Sequence, residues 1–138
     1  MCIRDRHAIV LAPDAKIRRV VVCSGKVYYD LFEERERRGI DDVYLLRLEQ
    51  LYPMPLKALV NELSRFKGAE VVWVQEEPKN MGAWAHIDPY FDWVLSQVNG
   101  PSKRMRYIGR PASAATATGL MSKHLAQMKA FTDEAFSL

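Results

Sequence analysis

At 138 residues the chain has room for one domain with a continuous core and not for two. Hydrophobic residues at 49% and charged residues at 27% exclude a disordered or fibrous chain. Twenty basic against seventeen acidic residues, scattered to a net charge of +3, exclude the one-signed field that nucleic acid or a membrane surface would require.

Met1-Cys2-Ile3-Arg4-Asp5-Arg6 follows neither a helical nor a strand period and reads as a non-native leader, leaving residues 7–138 as one domain. No n-region plus h-region pattern opens the sequence, and no apolar run reaches the about eighteen residues a membrane span needs. His7 to Leu11 can add a strand, antiparallel at an edge. Ile17 to Cys23 is a buried strand, Val-rich and closed by Ser24-Gly25, with Ser24 placed to cap the next helix. Cys23 serves there as a small hydrophobe. With Cys2 the only other cysteine, no disulfide framework or zinc spacing exists, which suits a reducing compartment. From Val27 to Arg38, the apolar residues Val27, Tyr28, Leu31 and Phe32 share one helical face, and Gly39 stops the helix behind a cationic last turn.

Val43 to Leu48 is a second strand. Pro53 and Pro55 forbid its extension, and Pro55 supplies the first position of a helix carrying Leu56, Leu59, Val60, Leu63 and Phe66 up to Lys67-Gly68. Val71 to Gln75 is the third strand and Pro78 to Gly82 a turn. Trp84, Ile87, Phe91, Val94, Leu95 and Val98 outline a helix interrupted or started at Pro89. The aromatics Trp84, Tyr90 and Phe91 exceed what one small core needs, so apolar surface is expected there. Arg104 to Ile108 alternates like an edge strand blunted by Arg104 and Arg106. Met121, Leu125, Met128, Phe131 or Thr132, and Ala135 then trace the buried face of a last helix. Strands alternating with helices predict a three-layer α/β/α fold around a mostly parallel sheet of four to five strands.

Ligands of such sheets bind beyond the carboxyl ends of the strands. Those ends read Ser24-Gly25-Lys26, Arg47-Leu48-Glu49-Gln50, Gln75-Glu76-Glu77 and Gly109-Arg110. A helix start at Ser24 to Val27 can hold a phosphate, with Lys26 or Arg110 adding charge-assisted bonds. Gly109 lets the backbone approach, and the Arg110 fork grips phosphate oxygens. The plainer readings stand beside it: a capped helix start, and an Arg110 ion pair with Glu76 or Glu77. No Walker or dinucleotide fingerprint is present. Arg47 is expected to pair with Glu76 or Glu77. Glu76 and Glu77 point to opposite faces and make no catalytic dyad. His7, His86 and His124 are isolated, without metal-ligand spacing. Trp73, Trp84 and Trp93 fill core or interface.

Landmarks of a known family occur in order. They are Cys23-Ser24-Gly25-Lys26-Val27-Tyr28-Tyr29-Asp30-Leu31, Arg47-Leu48-Glu49-Gln50-Leu51 with Pro53 and Pro55, Gln75-Glu76-Glu77-Pro78-Lys79-Asn80 with Gly82, and Gly109-Arg110-Pro111-Ala112 through Thr118-Gly119 with His124. Together they span nearly everything from Arg18 onward and resemble the thiamine-dependent decarboxylating component of 2-oxoglutarate dehydrogenase. The resemblance implies the last domain of a transketolase-like enzyme, whose thiamine diphosphate and magnesium lie between two upstream domains and bridge a homodimer. No Gly-Asp-Gly stretch with a trailing Asn, which would ligate that magnesium, occurs here.

The implied activity, oxidative decarboxylation of 2-oxoglutarate and succinyl transfer to a lipoyl group in the tricarboxylic acid cycle, belongs to a whole polypeptide working with a lipoyl succinyltransferase. The 138-residue chain is not expected to perform it alone. The implied location is the bacterial cytoplasm or the mitochondrial matrix. Related actinobacterial enzymes bind acetyl-coenzyme A through this domain, and a nucleotide takes a similar place in other relatives. That implies Ser24, Lys26 and Arg110 as candidates to hold acetyl-coenzyme A or AMP. The chain departs from the pattern at Ala115-Thr116-Ala117-Thr118, where relatives often carry a proline. Two further readings remain, a freestanding acyl-coenzyme A or nucleotide sensor and a purely structural dimerisation domain; ligand binding by the isolated chain separates them.

Overall fold

A computed structural model describes residues 2–3 and 10–137. Its elements in chain order are β1 (Cys2–Ile3), a 3-10 turn (Asp14–Lys16), β2 (Arg19–Cys23), α1 (Val27–Arg38), β3 (Val43–Leu48) and α2 (Leu56–Leu63). They continue with β4 (Glu70–Pro78), α3 (Trp84–Ser96), β5 (Arg106–Arg110) and α4 (Met121–Phe136). The sheet runs β1-β3-β2-β4-β5. β2, β3, β4 and β5 are mutually parallel, and β1 alone is antiparallel.

The side-chain period of two divides the strands between two cores. Val20, Val22, Tyr44, Leu46, Val71 and Trp73 face α2 and α3, where Leu59, Leu63, Ile87, Phe91 and Val94 meet them. Val21, Cys23, Val43, Leu45, Val72 and Val74 face α1 and α4, against Leu31, Phe131 and Ala135. These are the expected three layers. Continuous Val/Leu runs follow from burial on both faces.

Several local expectations change. An antiparallel edge strand is formed by Cys2–Ile3, paired with Leu48 and Arg47. Val10 and Leu11 form no strand, and 7–9 lie outside the described residues, as does most of the leader. Ser24 does not cap α1. Gly25 turns at φ 77°, which moves the cap to Lys26, and no side-chain cap bond forms. Pro55 precedes α2 rather than opening it, and α2 ends at Leu63. A tight turn of i to i+3 bonds then still brings Phe66 into the core. Helix α3 runs straight through Pro89. The missing N–H forfeits a bond to the Ala85 carbonyl, and Ala85 is exposed, so water can take its place. Phe91 is buried and Trp84 and Tyr90 pack against the core, so in the aromatic stretch around Tyr90 it is Trp93, half exposed, that presents apolar surface.

More lies on α4. Met121 and Leu125, expected in the core, are 71% and 59% exposed, beside Leu120 at 65%. The sixteen-residue helix is about 24 Å long, and only its second half reaches the sheet. That half is clamped by Arg19 at the start of β2 and by Arg18 just before it. Arg18 Nη1 and Nη2 donate to the Ser137 and Phe136 carbonyls at 2.8 and 2.9 Å. Arg19 Nη1 donates to those of Glu134 and Ala135 at 2.9 and 3.0 Å. Cations on orphan helix-terminal carbonyls satisfy both the hydrogen bonds and the dipole. The first half projects past the carboxyl edge of the sheet.

Candidate functional site

The carboxyl edge of the sheet becomes a cleft because β4, β5 and α4 end at different heights. A register shift between Gln75 and Pro78 bulges β4 outward. From Arg110 a strap, residues 111–120, crosses to the start of α4. Asn80 ties it down: its Nδ2 donates to Ser113 O at 2.9 Å and its Oδ1 accepts from Ser113 N at 3.0 Å. The resulting cleft holds about 510 Å³ and is lined by Lys26, Glu76, Arg110, Thr116, Gly119 and His124, among others.

Arg110 is 7% exposed. Its Nε donates to Gln127 Oε1 at 2.7 Å, and its Nη1 to Thr116 O at 2.8 Å and Glu76 O at 3.5 Å. All three acceptors are neutral. Nη2 donates to no described residue and is not sealed from solvent. The expected ion pair with Glu76 or Glu77 is therefore not formed; Glu76 turns its carboxylate to Lys26 instead, Nζ to Oε1 3.0 Å. That bond raises the Lys26 pKa, and Coulombic attraction to Glu76 adds to it. One turn on, burial pushes the Asp30 carboxyl up. A nearly buried guanidinium with only dipoles for partners retains its charge toward whatever enters the cleft.

The structure brings Lys26 and Arg110 to one cleft and leaves Ser24 out of it. Ser24 lines the neighbouring crevice with Leu51, Gln75, Gly82 and His86, where His86 Nε2–H donates to Leu51 O at 2.8 Å. Gly109 does not admit a ligand. A Cβ there would meet the Tyr107 hydroxyl at 2.6 Å and Gln75 O at 3.0 Å, so the space belongs to Tyr107. Its Oη donates to Arg110 O at 2.6 Å, and burial pushes its pKa up to about 12, keeping it a neutral donor. Arg47 pairs with neither Glu76 nor Glu77. Its guanidinium stacks 5.4 and 5.1 Å from the Tyr28 and Tyr29 ring centres and Nη1 donates to Tyr29 Oη at 3.0 Å. Trp93 is half exposed, while Trp73 is buried.

The sequence reading missed Gln75, Asn80, Thr116 and Gln127. Gln75 is the only one of these that carried a signal, a buried-strand position held by an amide. It accepts from Trp73 Nε1 at 2.9 Å and Trp84 N at 3.1 Å, and its Nε2 donates to the carbonyls of Glu77, Pro78 and Met81. Gly82, at φ 68°, closes the same turn where a Cβ would meet Glu77 Oε2 at 3.0 Å. Among the described residues no three His, Cys, Asp or Glu side chains form a metal-ligand set. No helix among them is long and apolar enough to cross a membrane.

The chain matches a family model described as 2-oxoglutarate dehydrogenase C-terminal over residues 1–136. It is 72% identical over 129 residues to the 2-oxoglutarate dehydrogenase E1 component of Brucella anthropi, covering 94% of this chain and 13% of that protein. The Brucella ovis protein of the same name gives the same figures. The one from Brucella abortus is 72% identical over 127 residues, 92% of this chain and 13% of its own length. The chain thus spans 13% of the length of these curated relatives.

Proposed function

The chain belongs to the 2-oxoglutarate dehydrogenase C-terminal family, and from that premise we propose that it is the non-catalytic end of an E1 polypeptide that carries an anion cleft. The proposed whole-protein activity is decarboxylation of 2-oxoglutarate with thiamine diphosphate and transfer of the succinyl group to a lipoyl carrier, in the bacterial cytoplasm. Homodimerisation and a succinyltransferase partner belong to that same proposal. These residues supply no step of that chemistry. Their part is to bind and to hold geometry.

One observation carries the cleft reading: a guanidinium at 7% exposure, bonded to neutral acceptors alone, lining a cleft that also contains Lys26. A phosphate-bearing ligand such as acetyl-coenzyme A or AMP supplies the missing negative charge and matches the planar fork. Ser24 is set aside as a direct ligand, since it opens on the neighbouring crevice.

Calorimetric titration of the chain with acetyl-coenzyme A and AMP tests this. Arg110→Ala should weaken binding by about 1.5–3 kcal/mol, the scale of a charged hydrogen bond. No wild-type binding of either ligand at millimolar concentration would defeat the cleft reading and favour a purely structural domain.

A further inference from the structure

Resting on the anion-cleft reading, we infer that Gln127 is the positioning residue of the cleft, a neutral acceptor that fixes the Arg110 fork without cancelling its charge. Gln127 lies on α4, seventeen residues from Arg110 in sequence, and its Oε1 takes the Nε–H at 2.7 Å. Thr116 O takes one Nη1 proton at 2.8 Å. These two bonds pin the guanidinium plane from two elements, α4 and the strap. The Nη2 protons stay without a described partner, and the remaining Nη1 proton has only Glu76 O at 3.5 Å. The free edge is the one a tetrahedral oxyanion takes in parallel N–H···O bonds.

The surrounding sequence preserves this imbalance. Residues 111–132 contain no Asp or Glu, so neither the strap nor the first three turns of α4 offers a counter-ion. Of the two carboxylates in the cleft lining, Glu76 is committed to Lys26, and Glu77 makes no ion pair with Arg110; on α4, Asp133 is committed to Arg38 and Lys129. An amide matches a carboxylate in shape and differs in charge, so Gln127→Glu isolates charge from geometry. A carboxylate at this half-buried position would pair with Arg110, holding the fork while removing the charge an anion requires.

Three variants are compared with the wild type by AMP titration, thermal melts and the Arg110 Nε–H resonance. Gln127→Glu should lower AMP affinity by about tenfold or more, with a raised thermal midpoint and slower exchange of the Nε–H. Gln127→Leu should lower both affinity and midpoint, because the Nε–H loses its acceptor and the fork swings. Lys57→Gln, exposed on α2 and lining neither crevice that Arg110 borders, should change neither by more than the error. A purely structural tether predicts that affinity and midpoint move together in every variant. Gln127→Glu binding AMP as the wild type does overturns the inference while leaving the cleft standing. Absence of wild-type binding removes the cleft reading and this inference with it, whatever the midpoints do.

Discussion

The sharpest dependence at the scale of single residues is on Gln75, 3% exposed at the end of β4. One amide serves the indole of Trp73, the first amide of α3 at Trp84, and three carbonyls of the turn between them. Gln75→Leu keeps the volume and removes every partner. Orphaned buried donors and acceptors cost about 1–3 kcal/mol each, so a loss of about 3 kcal/mol or more is expected in urea denaturation. A loss below about 1 kcal/mol would mean that water replaces the amide. The hub was partly legible in sequence, as a glutamine closing an apolar strand. Its partners were not, because four of the five, Glu77, Pro78, Met81 and Trp84, lie in or beyond a turn whose path the sequence does not specify. Arg47 teaches the same point in reverse. A charged residue near the core was expected to find a carboxylate, and it found the faces of Tyr28 and Tyr29 on the neighbouring helix.

Among elements, α1 and α4 are joined by a charge cluster at their solvent side. Glu34 accepts from Arg37 Nε and Arg38 Nε, both at 2.8 Å, and Arg38 reaches across to Asp133 of α4. The bond from Arg37 leads in holding the Glu34 carboxyl down to about 2. Glu70 and Asp133 are also lowered. A carboxyl whose folded pKa is depressed contributes stability above its unfolded value near about 4.3, and loses it as pH falls toward the folded one. Asp30 has the opposite sign, since its raised pKa disfavours the charged form. The thermal midpoint should therefore fall between about pH 5 and pH 2, and Glu34→Gln should flatten part of that fall. The part is about 1 kcal/mol or less, because the cluster is open to solvent. A variant whose pH–stability curve superimposes on the wild type would show that the cluster contributes nothing.

The molecule as a whole has one feature its own core does not explain. Leu120, just before α4, and Met121 and Leu125 on its first half stand in solvent beside Lys123 and His124, with no acid among them. An isolated chain is expected to bind a hydrophobic dye through this face, and Leu120→Ser with Leu125→Ser should reduce that signal without lowering the thermal midpoint. A strictly monomeric wild type that binds no dye would refute the expectation. The sequence alone determined the order of strands and helices, the parallel sheet and its two cores, since apolar periods of two and 3.6 are local and survive any packing. It also pointed to Lys26 and Arg110, because cations at strand ends are visible in one dimension. Only the tertiary structure decided that Arg110 meets neutral acceptors, that Ser24 opens on a different crevice, and that half of the last apolar face is uncovered. Each depends on where separate elements end relative to one another in space, and a helix face is painted by its own sequence whether or not a neighbour is there to meet it.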